Sequence, residues 1–222
     1  MKLHSLIPVA SLVVLLAACA SAPPRQAPLP ERLANDATVL GLADVRTWSD
    51  ATPIAMEAWS PLSARDVRKN YHGIVNREHH YLALSGGGEN GAFTAGLLAG
   101  WTAAGDRPEF TLVTGVSTGA LIAPYAFLGS DYDEQVKEVY TGYAMEDLID
   151  QRGVFNIVRN DAVAESTPMQ TLINKHMQPE VMKQIAQEWR EGRMLLIGTT
   201  NIDAGRPVIW DIGRIAASGH PG

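Results

Sequence analysis

The sequence predicts an α/β fold built on a mainly parallel sheet with helices on both faces. Two glycine-rich turns begin thirty residues apart, and each follows an apolar, strand-like run and opens a helix-like one. The rest of the chain keeps alternating strand and helix patterns, the order that produces parallel strands with covering helices.

The first turn is Ser85-Gly86-Gly87-Gly88-Glu89-Asn90-Gly91, preceded by the strand run Tyr81 to Leu84 and followed by a helical run from Ala92 to Ala104. The second is Gly115-Val116-Ser117-Thr118-Gly119, set between a strand run Phe110 to Thr114 and a helical run Ala120 to Leu128. With 20 glycines in 222 residues, a Gly-x-Ser-x-Gly string arises by chance about 0.1 times, so the string alone is only suggestive. Its strand-turn-helix setting gives it a mechanism. A sharp elbow lifts the serine oxygen clear of the backbone, small flanking residues let the turn close, and the amides sit at a helix N-terminus that favours negative charge. On this reading Ser117 is a nucleophile, and the Gly86, Gly87 and Gly88 amides hold an oxyanion.

Beyond the elbow, 133–140, 168–176 and 179–189 read as helices, and Met194 to Thr200 as a buried strand. The stretches 199–203 and 206–211 read as a strand pair, and Asp211 as a strand-end residue capping the next helix. Upstream, Ser60-Pro61 before residues 62–68 fits an N-cap and first-turn proline opening a helix. Residues 35–75 are expected to form a helical prelude packed on the domain, with Trp48 and Trp59 as packing anchors.

These motifs resemble the patatin-like phospholipase family, over roughly Tyr81 to the end of the chain. The family's Gly-Gly-Gly-x-x-Gly turn is matched by Gly86, Gly87, Gly88 and Gly91, and its Gly-x-Ser-x-Gly-Ala elbow by Gly115, Ser117, Gly119 and Ala120. The resemblance implies a three-layer sandwich and a Ser-Asp dyad acting on phospholipid or other acyl esters, with no cofactor. Two departures stand out. Asn90 occupies the place where the family usually carries Arg or Lys, which removes a cation that could hold an anionic head group. The family's base lies in an Asp-Gly dipeptide, and these 222 residues contain none. The expectation is therefore a C-terminally truncated version of a longer enzyme, with the aspartate beyond Gly222.

The N-terminus carries the second strong signal. Lys2, the apolar stretch Leu6 to Leu16 and the small-residue close Leu16-Ala17-Ala18-Cys19 resemble a bacterial lipobox. Cys19 is the only cysteine, so lipidation is its natural use. The expected organisation is a signal over 1–18, a lipidated Pro-rich tether over 19–34, the prelude over 35–75 and the hydrolase domain over 76–222. With Ala20 after the cysteine, the expected location is the cell envelope, anchored in the outer membrane of a Gram-negative cell. Loss of Lys2 with the signal moves the formal net charge from −6 to −7, so anchoring rests on acyl chains rather than on attraction to anionic lipid.

Other readings compete. Gly86-x-Gly88-x-x-Gly91 also fits a dinucleotide-binding fingerprint, with Asp106 twenty residues on, although Asp106 falls in a turn. A triad could pair Asp161 or Asp211 with His176 or His220. His79 and His80 precede the first turn but are separated from its glycines by Ser85. A catalytically incomplete, lipid-binding lipoprotein is a further alternative. The acidic charge argues against a nucleic-acid partner. No residue cluster has zinc or calcium spacing, so no metal is expected.

Overall fold

The computed structural model describes residues 29–52, 60–141, 150–151, 164–165 and 167–220. Its helices are α1 (Glu31–Ala34), α2 (Ala64–Asn70), α3 (Gly91–Ala104), α4 (Thr118–Leu128), α5 (Asp133–Thr141), α6 (Thr167–His176), α7 (Pro179–Arg190) and α8 (Ile212–Ser218). Its strands are β1 (Arg46–Trp48), β2 (Tyr81–Leu84), β3 (Leu112–Val116), β4 (Asp150–Gln151), β5 (Ala164–Glu165), β6 (Met194–Asn201) and β7 (Arg206–Asp211). Cys19, Trp59 and Asp161 lie outside the described residues.

Five strands form one sheet in the order β1-β7-β6-β3-β2. The centre is parallel, with Leu84 opposite Gly115 and Gly115 opposite Ile197. β7 returns antiparallel to β6 through the expected strand pair, and β1 adds antiparallel to β7. The α/β sheet with a mostly parallel core is thus the one expected. Residues 35–75 do more than a helical prelude would, because they also supply the edge strand β1. β3 runs on to Val116, two residues past the expected end, so Gly115 still belongs to the sheet.

Strand side chains alternate between faces, and the register fixes which residues share one. Leu82, Leu84, Val113, Leu195 and Ile197 all belong to the main hydrophobic cluster. They lie on one face together with Gly115. α4 covers that face, and residues 122–127 of this helix are all buried. A helix apolar all round is what a central, fully covered position requires. α3 and α5 contribute Ala95, Leu98, Val136 and Val139 to the same cluster, and α7 contributes Ile185. Tyr81, Ala83 and Val116, on the opposite face, are exposed among the described residues.

Local chemistry explains the remaining edges. α2 starts at Ser63, not at Ser60: the Ser63 hydroxyl accepts from the Asp66 amide and the Asp66 carboxylate accepts from the Ser63 amide, a complete capping box. That reciprocal pair outweighs the proline signal. Trp48 is the anchor expected, buried with Val208 and Ala34 and flanked by the guanidinium groups of Arg46 and Arg206 at 4.8 and 4.2 Å. Arg193 is buried beneath the sheet, where it donates to Phe110 O at 2.9 Å, to the Glu188 carboxylate at 2.8 Å and to Phe127 O. A buried cation is tolerated only when paired and hydrogen-bonded, and these partners take a bond from each of its three nitrogens.

Candidate active site

Gly115 and Val116 close β3, Thr118 opens α4, and Ser117 is the single residue between them. Its backbone sits at φ 53° and ψ −124°. A non-glycine residue there costs on the order of 1–3 kcal/mol and persists only where its surroundings force it. The surroundings here are two glycines. A Cβ at Gly115 would lie 2.6 Å from the Gly119 carbonyl oxygen and 2.8 Å from Ala120 Cα, and a Cβ at Gly119 would collide with the carbonyls of Leu84 and Ser85. Backbone cannot yield as a side-chain tip can, so the glycine-serine-glycine spacing is steric in origin. The outcome is an exposed serine hydroxyl on a strained strand-to-helix elbow.

The first glycine turn lies against that hydroxyl. A Cβ at Gly86 would sit 2.8 Å from Ser117 Cβ and 3.4 Å from Ser117 Oγ. Gly88 has φ +56°, a conformation that favours glycine, and its Cβ direction points into open space. Neither α3 nor α4 has a side-chain N-cap hydrogen bond. Ser117 is itself the N-cap residue of α4, so the partial positive charge of that helix N-terminus lies at the serine.

Tyr140, a residue the sequence did not single out, ties the turns together. Its ring fills the space above Gly91, and its hydroxyl donates to the Thr118 carbonyl oxygen at 2.8 Å. The only advance signal was the missing side chain at Gly91, which cannot say what fills the gap. Burial pushes the Tyr140 phenol upward, so it stays a neutral donor.

Residues 82–207 match the patatin-like phospholipase family. The chain belongs to that family. The match starts inside β2 and ends inside β7, so it contains both glycine turns and the elbow. No curated protein and no solved structure matches the chain.

In this patatin-like domain no carboxylate or imidazole among the described residues hydrogen-bonds Ser117 Oγ. Asp211 caps α8 as expected, its Oδ1 accepting from the Arg214 amide at 2.8 Å and its Oδ2 from Trp189 Nε1 at 3.2 Å. Burial raises its pKa. His176 packs edge-on against Tyr125 with centroids 6.0 Å apart. Its buried Nε2 has no hydrogen-bond partner among the described residues, and burial lowers its pKa. His220 is exposed beyond α8, His79 contacts Thr111 Oγ1 at 3.2 Å, and His80 pairs with Glu78 at 3.6 Å. None of these meets the serine.

Asp106 follows the left-handed cap of α3 at Gly105, before β3 begins. A ribose-binding acid belongs at the other end, where the second strand finishes, and that position holds Val116 and Ser117.

An apolar cavity of about 900 Å³ opens beside the elbow. Its wall begins with Ala120 and Leu121 in the first turn of α4, and Ile197, Leu172, Met182 and Ile212 line it further on. Ser117 stands just outside this wall. A volume of this order suits a mostly apolar ligand with few polar fixing groups.

Proposed function

We propose that the chain is a serine acyl hydrolase acting on phospholipid or related acyl esters through a Ser-Asp dyad. The observation that carries the reading is Ser117 itself, held at φ 53° with Gly86 against its hydroxyl side. In this reading Ser117 Oγ attacks the ester carbonyl, and the developing oxyanion takes hydrogen bonds from the amides of the Gly86–Gly88 turn. The alcohol leaves, and water releases the acyl group from the serine. The base in this reading is an aspartate, which would take the serine proton. The apolar cavity starting at Ala120 would hold the acyl portion.

Family membership supports lipid as the substrate class, and the lipobox resemblance at Cys19 supports an acyl anchor that keeps the enzyme at an envelope membrane. Release of fatty acid from phospholipid by the protein, lost in Ser117→Ala, is the test. Retained release in that variant would end the assignment. One observation favours a second reading: Ser117 has no base beside it among the described residues. A non-catalytic lipid-binding protein would bind phospholipid with Ser117 intact and release nothing.

A further inference from the structure

β2, β3 and β6 run parallel, so their C-terminal ends share one edge of the sheet. The first glycine turn, Ser117 and the β6–β7 turn all leave from that edge, and α3 begins there. Large apolar side chains are exposed on three separate elements around it. Phe93 in the first turn of α3 is 75% exposed, Val116 beside the nucleophile 52%, and Ile202 at the tip of the β6–β7 turn 84%.

Single exposed apolar residues are ordinary, but a group on independent elements around one mouth marks a contact surface. α3 adds to it. The helix has no charged residue, Leu97 one turn below Phe93 is 55% exposed, and Cβ atoms at Gly96 and Gly100 would meet nothing within 4 Å. The Ile202 tip is firmly held: Asn201 Oδ1 accepts from the Ala204 amide at 2.9 Å, and Gly205 turns the chain at φ +61°.

We infer that Phe93, Val116 and Ile202 form a rim that dips into the surface of a phospholipid bilayer and sets the mouth of the serine site against its substrate. This rests on the lipid-hydrolase reading, which supplies the occupant: an acyl ester in a bilayer can reach Ser117 only if this edge of the sheet meets the lipid surface. Among the described residues no helix is long and apolar enough to cross a membrane. Glu89 and Asp203, which flank the first turn and the Ile202 tip, are acidic and exposed. The rim therefore binds by apolar insertion and has no need of anionic lipid. An interfacial apolar face enters about 5–10 Å, to the boundary between head groups and chains.

The test uses the full chain in a Ser117→Ala background, so that it reads insertion and not catalysis. Tryptophan is placed by Phe93→Trp, by Ile202→Trp and, as a control, by Glu78→Trp just ahead of the opposite end of β2, where the native side chain is 90% exposed. Vesicles of phosphatidylcholine with brominated acyl chains are added, with and without phosphatidylglycerol. The expected result is loss of the added emission at 93 and 202, little loss at 78, and no dependence on phosphatidylglycerol. Equal quenching at all three sites, no quenching at 93 and 202, or quenching only with phosphatidylglycerol would overturn the inference. So would a concentration-dependent blue shift at 93 without lipid, which would mean that a second copy covers the rim. If insertion holds while the parent protein releases no fatty acid, the catalytic reading fails and the docking surface stands.

Discussion

The two glycine turns differ in what their glycines are for. In the elbow, Gly115 and Gly119 are hemmed in by backbone atoms that cannot move. In the first turn, Gly86 is pressed by the serine side chain, while Gly88 faces open space and is set by its φ of +56°. One turn is a steric mould that forces Ser117 into a strained backbone. The other is an amide cradle closed by a single tyrosine. Glycine count alone would have called them equivalent.

That difference can be broken by substitution. Gly119→Ala should do the most damage, because its Cβ meets the Leu84 and Ser85 carbonyls: overpacking of this kind costs about 3 kcal/mol or more, and thermal melting should show a large loss of stability. Gly88→Ala should cost only about 1 kcal/mol, the penalty of a left-handed backbone, and should melt close to the parent. If Gly88→Ala destabilises as much as Gly119→Ala, the distinction between mould and cradle is wrong.

Asp211, two strands across the sheet from Thr114, sharpens the contrast. Asp211→Ala should lose about 1 kcal/mol with its cap, whereas Asp211→Asn keeps one oxygen for the Arg214 amide but turns an NH2 donor towards Trp189 Nε1, so it should melt between the alanine variant and the parent. Because burial raises the Asp211 pKa, the contribution of this carboxyl to stability is greatest at acid pH, where it is protonated in both states, and falls as pH rises through the folded pKa.

The smallest expected effect is at His176. Burial lowers its pKa below the usual 6.5, so the unfolded chain takes the proton first. Stability should fall as pH drops from about 6.5 through the folded pKa, and His176→Phe should flatten that part of a melting-versus-pH curve. Fatty-acid release should survive His176→Ala, since the proposed Ser-Asp dyad uses no imidazole. A loss of about a hundredfold would instead point to general-base catalysis by histidine.

Much of this was legible in the residues. The alternation of apolar runs located β2, β3, α3 and α4 to within a few residues, because local patterning and tertiary packing agree there. The cap at Asp211 followed from the ordinary preference of a short carboxylate for a free amide. The strand at Arg46–Trp48 was not legible, since a three-residue edge strand has no period to read and is fixed by its partner β7. Neither was the Tyr140 clamp, which depends on where α5 lands. The start of α2 shifted three residues because a two-way capping box at Ser63 and Asp66 competes better than a lone Ser-Pro pair.

The central claim is that the elbow presents Ser117 as an activated nucleophile with the first turn against it. Labelling the protein with a fluorophosphonate probe and mapping the modified residue tests that claim most directly. The account predicts adduct on Ser117, none in Ser117→Ala, and slowed labelling in Gly86→Ala, whose Cβ would press on the serine. Adduct that persists undiminished in Ser117→Ala, or a parent protein left unlabelled at Ser117, would contradict it.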